Sequence, residues 1–138
     1  MLTVAEVMTP DPITLNPNDT VAQAEEILLA NNIRQLPVVV GPELVGIISD
    51  RDLRSFLSGR LFSSPEERDA ALNTRIDAVM SSAPMTIGPD DDLREAIEIM
   101  IDEKIGGIPV VEEEKGLVGI ITYVDVLRCF FEQLEGAT

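Results

Sequence analysis

Hydrophobic positions along the first half of the chain change their spacing repeatedly, and each change predicts a new element. A short apolar stretch at residues 13–15 predicts a strand, and apolar residues at helical spacing predict a helix that ends near residue 31. Two apolar runs, 37–40 and 44–49, flank a turn-forming Gly-Pro-Glu and predict a hairpin. A second helix is predicted over residues 50–57. The resulting order is strand, helix, strand, strand, helix.

The second half of the chain repeats this pattern. A shift of 72 residues places Pro37-Val38-Val39 on Pro109-Val110-Val111, and one extra residue in the second turn places Gly46-Ile47-Ile48 on Gly119-Ile120-Ile121. The repeat predicts a strand at 85–87, a helix from about residue 93, a hairpin, and a last helix over 123–134. Self-similarity of this kind indicates two copies of one supersecondary unit. Because neither copy covers both faces of its sheet, we expect the two to pack together.

We therefore predict a mixed α/β fold of two tandem β-α-β-β-α repeats, at residues 1–57 and 76–138. The linker between them, 58–75, contains Ser64-Pro65-Glu66-Glu67, which has a cap residue, Pro at the first helical position and Glu at the third. A short linker helix is predicted from there to about residue 72. Thr20 and Gln23 have the spacing of a capping box, and 90–92 with Glu95 is its counterpart in the second copy.

Each hairpin ends at a hydroxyl residue that lies three positions before an Asp. The pairs are Ser49 with Asp52 and Thr122 with Asp125. The spacing is that of a capping box, in which both side chains satisfy free N–H groups of the first helical turn. It also suits a nucleotide, since the helix start favours an anion, the hydroxyl can donate to a phosphate, and the carboxylate matches two ribose hydroxyls. The two interpretations can share the same residues.

The net charge of the chain limits the kinds of partner that it can bind. With 25 acidic and 10 basic residues, the net charge is −15, which argues against DNA or RNA because phosphate backbones need a basic surface. One small nucleotide held by N–H groups and a few Arg remains compatible. The acidic run at 90–92 is explained by its position at a helix start, so we predict no metal site.

Several residue types are scarce enough to exclude functions. The absence of His removes the commonest general base and metal ligand, and no activated nucleophile is apparent, so we predict that the chain is not an enzyme. Cys129 is the only cysteine and cannot form an internal disulfide. No apolar run approaches the length of a membrane span. These features predict a soluble cytoplasmic protein that does not enter a membrane.

Three segments, each repeated in the same order, carry a family resemblance. They are Val7-Met8-Thr9-Pro10, residues 33–39 and residues 44–53, and together they resemble a tandem pair of CBS domains, named after cystathionine β-synthase and often called a Bateman module. The resemblance implies two repeats about a pseudo-two-fold axis and a stand-alone regulatory or sensor module with no required cofactor. It further implies AMP, ADP, ATP or S-adenosylmethionine as ligands, held in two clefts between the repeats.

The resemblance also assigns the residues of the nucleotide sites. The hydroxyls of Ser49 and Thr122 approach phosphate, and Asp52 and Asp125 hold the ribose. The remaining residues read the adenine edge or line the base side; in the first copy they are Ile13, Thr14, Asp19, Arg34, Gln35, Leu36 and Pro37, and in the second Met85, Thr86, Asp91, Gly107, Ile108 and Pro109.

The two copies differ in basic residues. The first carries Arg34 and Arg51, where the second has Gly106 and Val124. Because Arg suits phosphate oxygens, we predict that the first cleft takes a phosphorylated nucleotide. The second is predicted to take a ligand with less negative charge, or none, unless an Arg of the first repeat or of the linker (60, 68, 75) reaches it. The alternative is that both Arg are ordinary surface residues.

Apolar residues near both ends of the chain predict a homodimer. They are Val4, Val7 and Met8 at one end, and Leu127, Phe130, Phe131 and Leu134 at the other. An isologous two-fold contact is the usual arrangement for such a patch. A different hypothesis is a dimerisation or protein-interaction scaffold whose clefts are vestigial and which acts on a partner protein.

Overall fold

The computed structural model describes residues 2–58 and 64–136, and it has the predicted mixed α/β architecture. The elements in chain order are α1 (Val4–Val7), β1 (Thr9–Pro10), α2 (Val21–Asn31), β2 (Gln35–Val40), β3 (Glu43–Ser49), α3 (Asp50–Ser58), α4 (Pro65–Leu72), a 3-10 turn (Ile76–Ala78), β4 (Ser81–Ser82), α5 (Leu93–Glu103), β5 (Gly107–Glu112), β6 (Gly116–Thr122) and α6 (Tyr123–Gly136). Both predicted hairpins, β2–β3 and β5–β6, are confirmed.

The two compact units do not coincide with the two sequence repeats, because each unit contains the first segment of the other repeat. The continuous unit is Ile13–Pro84, whereas the split unit consists of the chain up to Pro12 and from Met85 onward. The cause is strand pairing and core packing. Strand β1 pairs with β6 and β4 pairs with β3, each antiparallel. Val4 lies fully buried in the split unit's core and Ile76 in that of the continuous unit.

Each unit contains a three-stranded sheet, in the order β2-β3-β4 or β5-β6-β1. Both hairpins have a register shift in the same place, after Val38 and after Val110. The cores correspond as well, since α2 buries Val21 and Ala24 while α5 buries Leu93 and Ala96. Burial of equivalent positions explains why the hydrophobic spacing repeats along the sequence.

The predicted strands at 13–15 and 85–87 are wrong. Each is reduced to one parallel bridge, Leu15 with Val38 and Ile87 with Val110. Pro residues at 12, 17, 84 and 89 flank these stretches and lack the N–H donor that a longer ladder needs. The sequence pattern instead missed β1 and β4, two-residue strands followed closely by Asp11 and Ala83 at positive φ.

Local capping follows the sequence closely. Thr20 and Gln23 form the predicted capping box at the start of α2. Ser64 Oγ accepts the N–H of Glu67, and α4 ends at Leu72 as predicted. In the second copy Asp92 caps α5 by accepting the N–H of Arg94, and the predicted box with Glu95 is not formed among the described residues. Side-chain acceptors at these positions satisfy N–H groups that have no partner within the helix.

Two predictions made from the sequence differ from the structure. Val4, Val7 and Met8 pack into or against the split unit's core, so the expected apolar surface at the beginning of the chain is wrong. The predicted linker, 58–75, includes residues 59–63, which lie outside the described residues. Arg60 is one of them. The repeat boundaries remain a description of the sequence, because packing divides the chain elsewhere.

Candidate functional site

The junction between β3 and α3 is closed by the predicted pair Ser49 and Asp52. The Ser49 N–H donates to Asp52 Oδ2 over 2.9 Å, and the Asp52 N–H donates to Ser49 Oγ over 3.0 Å. The Asp50 N–H donates to the carbonyl of Arg34 over 2.9 Å, which ties the start of α3 to the start of β2. The capping interpretation is thus confirmed here, and the ligand role stays a prediction.

The cap leaves part of the Asp52 carboxylate available. Asp52 is half-buried, and within residues 2–58 and 64–136 no donor contacts its Oδ1. An ionised carboxylate can accept at about four lone-pair sites over its two oxygens. A ligand with two adjacent hydroxyl groups can therefore be bound without breaking the cap.

The equivalent junction between β6 and α6 is more fully occupied. Asp125 Oδ2 accepts the N–H of Thr122 over 2.9 Å and its hydroxyl over 3.1 Å, while the Asp125 N–H donates to Thr122 Oγ1 over 3.3 Å. In addition, the Thr9 hydroxyl donates to Asp125 Oδ1 over 3.0 Å. Asp125 is only 9% exposed. Both carboxylate oxygens of this buried residue therefore already have a donor.

The close packing of β1 on β6 brings Thr9 to Asp125. Thr9 lies opposite Ile120, and a Cβ at Gly119 would collide with the sulfur of Met8, so the glycine permits this approach. The continuous unit has the same arrangement, with Ser81 opposite Ile47. No bond joins the Ser81 hydroxyl to Asp52 among the described residues. The sequence pattern places Thr9 within the motif at residues 7–10 but gives no indication of this contact.

Basic residues at the first junction occupy positions whose equivalents at the second junction are not basic. Arg34 and Arg51 are exposed and make no ion pair in the described part of the chain, while Arg54 pairs with Asp50 over 3.5 Å. The equivalent positions in the split unit hold Gly106, Tyr123, Val124 and Leu127. The start of α3 is consequently polar and partly cationic, and the start of α6 is apolar.

A groove of about 510 Å³ runs between α1 and α6 beside Asp125. Its lining residues are Leu2, Glu6, Val7, Asp125, Arg128, Cys129, Glu132 and Gln133. Three carboxylates and one guanidinium line it, so the groove carries net negative charge. Such a surface favours neutral or cationic groups over phosphate.

The other predicted residues divide between the two units as their repeats imply. The Leu15 N–H donates to the carbonyl of Pro37 over 3.0 Å, which places the 13–15 segment beside β2, and the Ile87 N–H donates to that of Pro109 over 3.2 Å. The remaining members are exposed or half-buried, at Ile13, Thr14, Gln35, Met85 and Thr86, or buried, at Leu36, Gly107 and Ile108.

Asp19 and Asp91 have a local structural role that the sequence interpretation did not include. Asp19 Oδ2 accepts the N–H of Asn16 and Asp91 Oδ2 that of Gly88, each over 2.8 Å. Both bonds close the turn that precedes a helix. Their predicted place beside the base stays a prediction.

Arg75 is engaged within the continuous unit. It donates to Asn18 over 2.7 Å and to Asp77 over 2.8 Å. The hydrogen bond from Arg75 holds the pKa of the Asp77 carboxyl below its ordinary value, and the same bond raises the pKa of Arg75. Arg75 is thus occupied by local partners, and Arg68 is exposed on α4.

The described residues contain neither a metal-binding cluster nor a membrane-spanning helix. In the described ranges no three His, Cys, Asp or Glu side chains are grouped so as to hold a metal ion. None of the helices in that part of the chain combines the length and apolar character that crossing a membrane requires.

Comparison with known proteins gives a consistent family match. The family model described as CBS domain matches residues 4–59 and 76–132. The chain is 35% identical over 116 residues to inosine-5'-monophosphate dehydrogenase of Korarchaeum cryptofilum, covering 84% of this chain and 22% of the dehydrogenase. The chain also covers less than half of the length of a second curated relative.

Two solved structures share the fold over nearly the whole chain. One is CBSX2 of Arabidopsis thaliana in complex with AMP, at 26% identity and a TM-score of 0.81, covering 96% of this chain and 98% of that one. The other is the CBS domain pair of protein MJ0100 in complex with 5'-methylthioadenosine and S-adenosyl-L-methionine. Its identity is 28% and its TM-score 0.82, with 96% and 98% covered.

Proposed function

This chain belongs to the CBS domain family, and we propose that it is a regulatory module that binds adenosine-containing ligands at its two strand-to-helix junctions. AMP, ADP and ATP are the proposed ligands of the junction with the free carboxylate oxygen. The observation that carries the proposal is the repeated hydroxyl–carboxylate pair, which leaves Oδ1 of Asp52 available to a ribose. The AMP complex of CBSX2 and the adenosyl complexes of MJ0100 support this ligand class.

The site has the groups that recognition of a nucleotide needs. The start of α3 presents N–H groups and the positive end of the helix dipole to an anion. Arg34 and Arg51 add exposed guanidinium groups, whose planar shape suits phosphate oxygens. The Asp52 carboxylate supplies the acceptor for sugar hydroxyls. These groups hold and orient a ligand, so the proposed role is binding.

A ligand titration tests the proposal. AMP, ADP, ATP, adenosine and S-adenosylmethionine are each added to the purified protein while its melting temperature is recorded. A bound ligand stabilises the fold by mass action, by about 2.7 kcal/mol at a hundredfold excess over Kd. GMP is the control for recognition of the base. If none of the adenosine compounds raises the melting temperature, the scaffold hypothesis replaces this one.

We also propose that the chain forms a homodimer through α6. One face of this helix exposes Tyr123, Leu127, Phe130, Phe131 and Leu134, which follow the helical spacing. Leu127, Phe131 and Leu134 are each at least 60% exposed. Side chains of this size, about half exposed, offer on the order of 500 Å² per copy, so two copies approach the ~1,000 Å² expected of a specific interface. Exposed apolar area of this extent marks an interaction surface.

Light scattering tests the dimer. The expected mass is twice the 15.0 kDa of one chain, and Phe131→Glu should return the monomer mass. Glu132→Gln, the next residue along the helix, is the matched control and should remain dimeric. A monomer mass for the unmodified protein at every concentration would disprove the proposal.

A further inference from the structure

We propose that the two junctions select ligands of different charge: the continuous unit binds a phosphorylated adenine nucleotide, and the split unit binds an uncharged or cationic adenosine compound. This inference rests on the proposed function and assigns a ligand class to each site. The residues by which the two copies differ, each within its own unit, determine this selection.

The split unit places a buried negative charge where its ligand would bind. Asp125 is 9% exposed, and its two oxygens accept from Thr9 and Thr122. Ribose hydroxyls can use the lone pairs that remain, because they are donors. A phosphate group brings further negative charge to a carboxylate that is shielded from water, where repulsion is stronger than in bulk solvent.

The surroundings of Asp125 add to this repulsion. The groove between α1 and α6 also carries Glu6 and Glu132, against the single cation of Arg128. Val124, which is 43% exposed, occupies the position that Arg51 has in the other unit. Ligands with no phosphate avoid this repulsion, and an ammonium or sulfonium group would be attracted by the carboxylates.

The continuous unit has the opposite balance. Arg34 and Arg51 are exposed without ion-pair partners in the described residues, so neither must break a salt bridge to reach a phosphate. Arg54 offsets the charge of Asp50. Oδ1 of Asp52, which has no donor within residues 2–58 and 64–136, accepts from the ribose hydroxyls while the arginines donate to the phosphate.

A reciprocal exchange tests the assignment. Calorimetry with AMP, adenosine and S-adenosylmethionine is performed on the unmodified protein, on Arg51→Val and on Val124→Arg. The unmodified protein should bind one AMP per chain, and Arg51→Val should weaken that binding at least tenfold while leaving a separate site for adenosine or S-adenosylmethionine unchanged. Val124→Arg should raise the AMP stoichiometry from one to two. Glu113→Gln, at the exposed β5–β6 turn, controls for the change in net charge.

A double variant tests the contribution of the groove carboxylates separately. Glu6→Gln combined with Glu132→Gln removes two groove charges without adding bulk and should strengthen AMP binding in the split unit several-fold. Two equal AMP sites in the unmodified protein, both unaffected by Arg51→Val, would overturn this inference and leave the proposed function intact. If no adenosine compound binds at all, both are overturned together.

Discussion

The two strand-to-helix junctions have the same hydroxyl–carboxylate pair in different surroundings. In the continuous unit Ser49 and Asp52 contact each other, and Oδ1 of Asp52 has no donor in the described residues. In the split unit the corresponding Asp125 is buried and is also bound by Thr9. The difference comes from outside the hydroxyl–carboxylate pair. Both units pair the exchanged strand in the same way, but Thr9 donates to Asp125, whereas no bond joins Ser81 to Asp52 among the described residues.

A duplicated motif can thus keep its local bonds while its surroundings diverge. The backbone-to-side-chain bonds of the cap are the same in both copies, because they depend on residues three positions apart. The charge and burial of each junction depend on residues that are distant in the sequence, and both properties differ between the two units. The sites must therefore be compared by their surroundings, not by the motif alone.

The largest expected effect is on stability. Asp125→Ala removes a cap together with the buried acceptor of the Thr9 and Thr122 hydroxyls, which should cost about 3 kcal/mol of unfolding free energy. Asp52→Ala removes only the cap and should cost about 1 kcal/mol. Urea denaturation without ligand measures both values. Equal losses would show that the Thr9 bond and the burial of Asp125 contribute nothing.

Nucleotide affinity gives the next effect. Asp52→Ala should weaken AMP binding by about 1.5–3 kcal/mol, the value of a hydrogen bond to a charged group, which is roughly tenfold to over a hundredfold in Kd. Calorimetry on the folded variant measures it. Glu43→Gln is the control and should leave AMP affinity unchanged, because Glu43 is exposed at the end of β3 opposite to Ser49. Unchanged affinity in Asp52→Ala would leave this residue with a capping role only.

Local sequence patterns predicted the features that involve neighbouring residues. The hairpins, the capping box at Thr20, the linker helix and the hydroxyl–carboxylate caps were all recognised, because their partners are few residues apart. The segment exchange was not predicted. Strands of two residues beside proline, such as β1, have no periodicity to read.

The surroundings of Asp125 could not be predicted from the sequence either, because they depend on residues that are far apart along the chain. Thr9 and Asp125 are 116 residues apart, and nothing in the pattern of either segment indicates that their side chains meet. The difference in arginines was visible in the sequence, because equivalent positions can be compared directly. Which carboxylate oxygens remain free depends on tertiary packing.

The smallest expected effect isolates the Thr9 hydroxyl. Thr9→Val keeps the shape of the side chain and removes the donor to Asp125 Oδ1, so it should cost about 1.5 kcal/mol of unfolding free energy. Ser81→Ala is the matched control, since Ser81 has the equivalent place in the sheet and makes no bond to Asp52 in the described part of the chain. Its cost should stay within about 0.5 kcal/mol. Urea denaturation of both variants provides the comparison. Because Thr9→Val leaves the caps at Ser49 and Thr122 intact, any excess loss over Ser81→Ala measures the Thr9–Asp125 bond, which has no counterpart at Asp52 among the described residues. Equal losses would mean that this bond does not distinguish the two junctions.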